Sequence, residues 1–257
     1  MSPITPPPSQ SRLSTRISLR WPPAPTFENT DTIVMSVAGW YVDLRVDQAT
    51  KTIDWAIAGQ RVVDSNDSTR VQFTHELDSR NSFDDVDCGT FSTLPNGDDL
   101  EKGSMPRADL PGKPVCEYEE VWRELEFRRG PEGAGRGVSW VLESQIGPDL
   151  QDGEEGEVTR TFLGRVWGTY LALRQVQKHV QSPESNAIIV KDGEKVSALR
   201  EEWDPSKRWC TKYSLGPKAS KLPSMKDIFE PQNWKTGQTV TIAGVEYILR
   251  AFEGIPA

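Results

Sequence analysis

Apolar and polar residues alternate in short runs along most of the chain, and this period of two constrains the fold more than any other feature. In the run WYVDLRV at 40–46, every even position is apolar, while the odd positions include Asp43 and Arg45. The runs at 52–59 and 71–78 show the same period. Because strand side chains point to opposite faces in turn, the pattern predicts half-buried antiparallel strands rather than helices. The 19 prolines and 20 glycines favour many short strands joined by turns.

The strand-like runs also repeat along the chain. Residues 30–46 resemble residues 157–176, and the two runs that form a predicted hairpin at 117–144 resemble the runs within 196–215, in the same order. Two ordered matches favour a duplicated unit. The sequence therefore predicts an all-β fold of two related antiparallel, lipocalin-like barrel domains in tandem, with little helix. The predicted parts are a disordered Pro/Ser-rich tail at 1–13, an N-terminal β-barrel domain at 14–145, an acidic linker at 146–157 and a C-terminal β-barrel domain at 158–257.

The charge balance and the cysteines restrict the classes of partner and compartment. The formal net charge of −8 opposes binding to nucleic acids or anionic membranes, which need a basic face. Three cysteines with no close pairing indicate neither a disulfide framework nor a zinc site, and they suit a reducing compartment. The N-terminal residues lack the apolar core of a secretory signal, and no run reaches the length of a membrane span. These features predict a cytoplasmic protein.

Motifs of the common enzyme classes are missing from the sequence. It contains no phosphate-binding loop, no GxSxG nucleophile elbow, no HExxH and no CxxC pair. Only His75 and His179 are available for a histidine-based triad or a metal cluster. We therefore expect no cofactor and no metal, and the hydrolase, kinase and metalloenzyme classes are disfavoured.

Polar and aromatic residues within the strand-like runs supply the candidate site. His75 lies on the apolar face of its run, so it is either a catalytic residue or a hydrogen-bonded core histidine. Arg123 is a second catalytic candidate, because an arginine inside a barrel needs an anionic partner or ligand; otherwise it points outward and pairs with neighbouring glutamates. Nine tryptophans suit either pocket walls or a core. The candidate ligand-binding residues are Trp55, Phe73, Tyr118 and Trp140.

Several runs resemble a known fungal family. RISLRW at 16–21, TDTIV at 30–34, DWAIAG at 54–59 and YILR at 247–250 follow the order seen in the fungal Hri-type family, named for a protein that interacts with a casein kinase. The resemblance covers nearly the whole chain after residue 13, implies two related lipocalin-like β-barrel domains, and supplies no catalytic residues. The chain is also similar to the hetero-Diels–Alderases of tropolonic sesquiterpenoid biosynthesis.

The sequence leaves two classes of function open. The first is a cofactor-free natural-product enzyme that binds an apolar polyketide- or terpene-type substrate and catalyses a hetero-Diels–Alder-type cycloaddition by positioning and hydrogen bonding. The second is a non-enzymatic protein that docks a kinase or trafficking partner, or that passively carries an apolar metabolite. A homodimer is compatible with either class.

Overall fold

The fold consists almost entirely of β-strands. The computed structural model describes residues 10–84, 87–107, 109–185, 187–228 and 234–254. Within these ranges it contains seventeen strands and one short 3₁₀ helix, Ala219–Lys221. This composition confirms the predicted all-β class with little helix. Among the described residues, no helix has the length and apolar character needed to cross a membrane.

The strands belong to two separate sheets. The first sheet contains β1 Ser11–Arg20, β2 Thr30–Val37, β3 Trp40–Asp47, β4 Ile53–Val63, β5 Arg70–Phe73, β6 Leu77–Asp78, β7 Asp87–Thr93, β8 Asp99–Pro106 and β9 Val115–Glu124. The second sheet contains β10 Ser139–Ile146, β11 Glu155–Val166, β12 Thr169–Gln181, β13 Ile188–Gly193, β14 Ser197–Asp204, β15 Arg208–Leu215, β16 Thr239–Ile242 and β17 Val245–Glu253.

The first sheet closes on itself to form an antiparallel barrel. Its strands follow the order β3-β2-β1-β9-β8-β7-β5-β4, and β4 pairs back onto β3, while the short β6 extends from β4. Closure gives eight strands around the ring and removes the unpaired edges of an open sheet. We call this unit the first barrel. An eight-stranded antiparallel barrel is the architecture of the lipocalins, which agrees with the predicted fold.

The second sheet follows the order β15-β14-β12-β11-β10-β17-β16, with β13 paired to β12. In the part of the chain that the structure describes, its end strands β15 and β16 do not pair with each other. The chain passes from one sheet to the other between Glu124 and Ser139, earlier than the predicted linker at 146–157. That acidic segment instead connects β10 to β11. The two strands form a hairpin whose pairs run from Ile146–Thr159 beside the loop to Ser139–Val166 at the far end. The charges of the acidic segment are those of a solvated hairpin loop.

The two repeat matches have different structural outcomes. The first links two hairpins of the same kind, because β2 and β3 turn between Val37 and Trp40, and β11 and β12 turn between Val166 and Thr169. The second match fails, since β9 and β10 lie in different sheets and the predicted hairpin at 117–144 is not formed. The Gly-rich segment between them crosses from the barrel to the second sheet. The predicted tail at 1–13 also overlaps a strand, because β1 begins at Ser11.

The outer face of the first barrel packs against the second sheet. Alternate side chains of a strand point to opposite faces, so one face of β3 carries Val42, Leu44 and Val46. All three are fully buried in a core that contains residues from both sheets. The barrel adds Met35 from β2. The largest residues from the second sheet are Phe162, Leu171 and Leu173. Gly164 on β11 permits a close approach, because a Cβ there would lie only 2.7 Å from the sulfur of Met35.

A second core covers the other face of the second sheet. It is rich in aromatic residues and includes residues that follow β15 in the chain as well as residues of the sheet. Its main members are Trp140, Leu142, Tyr170, Leu222, Met225 and Trp234. The second sheet is therefore buried on both faces, by the barrel on one side and by this later segment on the other.

Because the shared core contains residues from both sheets, we expect the barrel and the second sheet to unfold together. Leu44→Ala removes a fully buried side chain from this core and is expected to lower the free energy of unfolding by about 2–5 kcal/mol. Urea unfolding followed by circular dichroism and by tryptophan fluorescence measures the change. Val62→Ala, on an exposed side chain, serves as the control and should shift stability by less than about 0.5 kcal/mol. Two separate transitions in the wild-type protein would contradict the shared core.

Candidate functional site

The interior of the first barrel contains a cavity with aromatic walls. On β3 and β4, the side chains that point away from the second sheet line this cavity, because they alternate with the residues of the shared core. The aromatic lining residues are Tyr41, Trp55, Phe73, Phe91, Tyr118 and Trp122. Phe73 joins part of this wall, since its ring lies 5.5 Å from that of Tyr41 and 6.3 Å from that of Phe91, measured between ring centroids. Such faces suit the apolar body of a ligand.

Buried charges form one end of the cavity, which we call the floor: Asp43, Arg45, Glu101 and Glu120. Arg45 lies at its centre. Its Nη2 is 2.9 Å from Oδ2 of Asp43, and its Nη1 is 3.2 Å from Oε1 of Glu120. The same Glu120 oxygen accepts a 2.6 Å hydrogen bond from Arg16, which also pairs with Glu28. Pairing of this kind is what makes the burial of charges tolerable, because an isolated buried ion is costly.

Aromatic rings hold the Arg45 guanidinium from two directions. Its central carbon lies 4.7 Å from the centroid of the Trp55 ring and 5.3 Å from that of Trp122. Both distances are within the range of cation–π attraction. The indole N–H of Trp55 donates to Asp78, and that of Trp122 donates to Glu101. The two rings are therefore fixed in place, and their contact with Arg45 is part of the protein's own packing.

Glu101 is a buried carboxyl group that stays protonated near neutral pH. Burial, together with the nearby carboxylates of Glu120 and Asp87, raises the pKa of Glu101 to about 8. Its two oxygens accept hydrogen bonds from the Tyr118 hydroxyl and the Trp122 indole, each at 2.8 Å. With Glu101 uncharged, the two arginines Arg16 and Arg45 face fewer negative charges than the residue types suggest.

Asp43 presents an unused acceptor at the floor. Its Oδ2 bonds to Arg45, whereas its Oδ1 is buried and has no hydrogen-bond partner among the residues that the structure describes. Only 3% of Asp43 is exposed, and the residue lines the cavity. Burial raises the pKa of Asp43, although the neighbouring Arg45 acts in the opposite direction. Buried polar atoms without partners are rare in folded proteins, so this oxygen is an acceptor that the fold leaves unsatisfied.

The more exposed end of the cavity, which we call the rim, also carries charges: Arg12, Arg61, Asp99 and Glu124. Arg12 bonds to Asp99 at 3.3 Å and to Glu124 at 3.2 Å. Arg61 differs, because it has no ion pair with any residue in the described ranges. Its nearest ring contact is Phe91, 6.0 Å from the guanidinium carbon. The rim thus contains one paired and one unpaired guanidinium.

The residues predicted from the sequence divide into two groups. Trp55, Phe73 and Tyr118 lie together on the cavity wall. Trp140 does not join them, because it is fully buried in the second core, 5.6 Å from the ring of Trp234. Arg123 also lies elsewhere. Its side chain is 51% exposed on the outer face of β9, where it makes a bidentate pair with Asp98. The alternation of β9 explains this, since Tyr118, Glu120 and Trp122 take the inward positions.

His75 lies next to the cavity and is not one of its lining residues. Its Nδ1 is 2.8 Å from Oδ2 of Asp78, and its Nε2 is 3.1 Å from Oδ2 of Asp87. Burial alone lowers the pKa of His75, but these two hydrogen bonds outweigh it, and the pKa rises to about 9. With a carboxylate at each nitrogen, His75 is a cation at neutral pH. Its geometry is that of a structural link between β7 and the segment around β6.

Sequence reasoning missed the floor and the unpaired rim arginine. Asp43 and Arg45 stand on the polar face of a recognised run, and Glu120 and Arg61 have no motif. A signal was nevertheless present at 40–46. One face of this run holds large apolar residues, which favour burial, and the other face holds two opposite charges two residues apart, which can pair with each other when buried. A strand buried on both faces explains such a pattern, whereas a strand with one solvated face does not.

Glu101→Gln is expected to reduce the pH dependence of stability. The carboxyl is protonated in the folded protein up to about pH 8, whereas in the unfolded chain it ionises near its ordinary pKa of 4.5. The folded state therefore binds more protons in this window, and the free energy of unfolding falls as pH rises through it. A glutamine has no ionisable proton, so the variant should not show this fall in the free energy of unfolding. Urea unfolding at pH 5 and pH 8.5 tests the difference, and exposed Glu126→Gln should behave as wild type. Equal losses in wild type and Glu101→Gln would refute a protonated Glu101.

His75→Gln is expected to be destabilised by roughly 3 kcal/mol near neutral pH, because it leaves the buried carboxylate of Asp78 without its cation. The His75 contribution is fully present below the ordinary pKa of 6.5 and is lost as pH rises through about 9. The difference from wild type should therefore shrink between pH 7 and pH 10 in denaturant titrations. His179→Gln is the matched control, because burial and then Arg160 lower the pKa of His179 and leave it neutral over this range. A pH-independent difference for His75→Gln would contradict the assigned imidazolium.

Comparison with known proteins places the chain in a family. A solved structure of the same fold is that of the uncharacterized protein YLR301w from Saccharomyces cerevisiae, which is 18% identical, with a TM-score of 0.64 over 95% of this chain and 100% of the other. At that identity the likeness shows the fold alone. No curated protein matches the sequence, and a relation to hetero-Diels–Alderases stays a prediction. The family model described as Protein HRI1 matches residues 12–248, which is most of the chain, so the protein belongs to the HRI1 family.

Proposed function

We propose that the first barrel binds a small amphipathic molecule that donates a hydrogen bond to Asp43. The observation that carries the proposal is the Oδ1 of Asp43: the residue lines the cavity, and this buried oxygen has no donor among the described residues. Leaving a buried acceptor unsatisfied costs about 1–3 kcal/mol, so a donor supplied by a ligand gains that energy on binding. The aromatic walls around Phe73 receive the apolar part of the same molecule.

The donor on this ligand is a hydroxyl rather than an ammonium group. Arg45 holds Oδ2 of Asp43 at 2.9 Å, so a second cation on the other oxygen of the same carboxylate would lie close to the guanidinium. Like charges at such separation repel strongly where the solvent is excluded. A neutral hydroxyl satisfies Oδ1 without that repulsion. A phenol or another hydroxylated ring combines this donor with a flat apolar body.

Binding without chemistry fits the site better than the cycloaddition that the sequence suggests. A catalyst of that kind aims a free donor at the electron-poor reactant. Here the Tyr118 hydroxyl donates to Glu101, and the Trp55 indole donates to Asp78. His75 and Arg123 are likewise held by carboxylates, and neither residue lines the cavity. The charged floor also favours a polar-ended molecule over a wholly apolar polyketide or terpene. Homodimer formation and docking to a kinase or trafficking partner stay predictions without a specific contact to support them.

The proposal is tested with p-cresol and 4-methylanisole, which differ in the single donor hydrogen. Wild-type protein is expected to bind p-cresol about tenfold tighter, because a hydrogen bond to a charged acceptor contributes about 1.5–3 kcal/mol. Titration calorimetry measures both affinities. Asp43→Asn is expected to abolish the preference, because the side-chain amide places a donor group where the carboxylate offered an acceptor. Exposed Asp64→Asn is the matched control and should retain the preference.

The wild-type comparison stands even where Asp43→Asn folds poorly, because it needs no variant. Equal binding of the two probes by the wild-type protein counts against Asp43 as the acceptor. Binding of neither probe at millimolar concentration counts against the cavity as a site for phenols.

A further inference from the structure

Arg61 stands out among the guanidinium groups in and around the cavity. Arg12, Arg16 and Arg45 each pair with at least one carboxylate. Arg61 is only partly exposed, yet it forms no ion pair within the described part of the chain. Arginines that are withdrawn from solvent without an anion are unusual, because their desolvation is not repaid by a partner.

The charges around Arg61 do not compensate it. Arg12 adds a second positive charge nearby, and Asp99 is already engaged by Arg12. Glu101 also acts on Arg61, but that carboxyl is protonated near neutral pH. Burial, followed by the charge of Arg12, lowers the pKa of Arg61, which means that its surroundings supply less negative charge than the guanidinium needs. This part of the rim therefore favours an added anion.

The position of Arg61 on β4 relates it to the acceptor at the floor. Asp43 on β3 pairs in register with Ile57 on β4, and Arg61 follows four residues later on the same face of the strand. Four residues of strand span about 13 Å, part of which the long arginine side chain can bridge. A single molecule thus reaches both groups when its donor and its anion are at opposite ends of a short rigid body. The ring of Phe91, 6.0 Å from the guanidinium carbon, also lines the cavity.

We infer that the ligand of the first barrel is a small hydroxylated carboxylic acid, held by Arg61 at its carboxylate and by Asp43 at its hydroxyl. The inference rests on the proposed binding function, and it adds the charge of the ligand and the direction in which it enters. A carboxylate is the expected anion because its two oxygens match the fork of a guanidinium. The hydroxyl end enters first and reaches the buried floor, while the charged end stays at the more exposed rim, where its desolvation is least costly.

The test uses two probes that share size and hydroxyl group and differ in charge: 4-hydroxyphenylacetate and 4-hydroxyphenylacetamide. Wild-type protein is expected to bind the acid about tenfold tighter than the amide at low salt, which corresponds to about 1.4 kcal/mol. Arg61→Gln is expected to bring the two affinities together by weakening the acid alone. Exposed Arg70→Gln removes the same charge outside the cavity and should leave the preference unchanged. Calorimetry at low salt gives all six affinities, and a thermal melt confirms that each variant is folded.

The outcomes separate this inference from the proposed function. Equal binding of acid and amide by the wild-type protein, together with the p-cresol preference, overturns the carboxylate and leaves the hydroxyl site standing. A preference for the acid that survives in Arg61→Gln also overturns the inference, because another group then holds the anion. Binding of none of the phenols overturns both. A preference that disappears in Arg61→Gln and persists in Arg70→Gln supports the assignment.

Discussion

The Arg45 guanidinium is the interaction on which the interior of the first barrel depends. Two carboxylates, Asp43 and Glu120, pair with it, and the rings of Trp55 and Trp122 approach it within cation–π distance. Because such a buried cation is tolerable only with all these partners, the position of each is determined by it. A hydrophobic residue of similar volume would cost less to bury. What the arginine adds is a polar floor with a defined geometry.

That floor is compatible with a stable fold because the main apolar core lies elsewhere. In a small barrel the interior usually supplies the core, and the outer face meets water. Here the second sheet covers the outer face around Leu44, and the shared core forms between the two units. Buried apolar area stabilises the fold in whichever part of the protein it lies. Because the shared core supplies this area outside the barrel, the barrel interior can contain charges and an unsatisfied acceptor. Both the position of the site and its polarity follow from this arrangement.

The sequence predicts the strands well and their surroundings less well. The period of two at 40–46 correctly indicates a strand, and 30–46 and 157–176 correctly indicate related hairpins. The period does not tell which face of a strand points into the barrel, because the alternation is the same whether the apolar residues point inward or outward. Trp55, Phe73 and Tyr118, which line the cavity, were singled out from the sequence because aromatic residues are concentrated in its strand-like runs. Asp43 and Arg61 were not, because a charged residue in a strand is ordinarily solvated, and only the three-dimensional pairing reveals that it is buried.

The difference between the predicted domain bounds and the boundary between the two sheets has a related origin. An acidic, glycine-rich stretch suits a linker and a hairpin loop equally, since both are solvated and need turn-forming residues. Most of the segment at 146–157 is a loop between Ile146 of β10 and Glu155 of β11, because these two strands pair with each other, and pairing between strands is a non-local property. Trp140 lies away from the cavity for the same reason: its strand, β10, belongs to the second sheet, so its indole faces Trp234 and the second core.

Under the proposed function, the open acceptor at Asp43 would link ligand binding to the stability of the barrel. A buried carboxylate oxygen without a donor destabilises the folded state by about 1–3 kcal/mol. The unfolded chain has no such cost, because water solvates the oxygen there. A molecule that satisfies this oxygen binds only the folded barrel, so it raises the free energy of unfolding by mass action. Replacement of Asp43 by an isosteric apolar residue would remove this destabilisation only if Arg45 were neutralised as well. Otherwise Arg45 would lose one of its two carboxylates. The acceptor and the arginine therefore form one unit, in which the cation fixes the carboxylate and leaves its second oxygen for the proposed ligand.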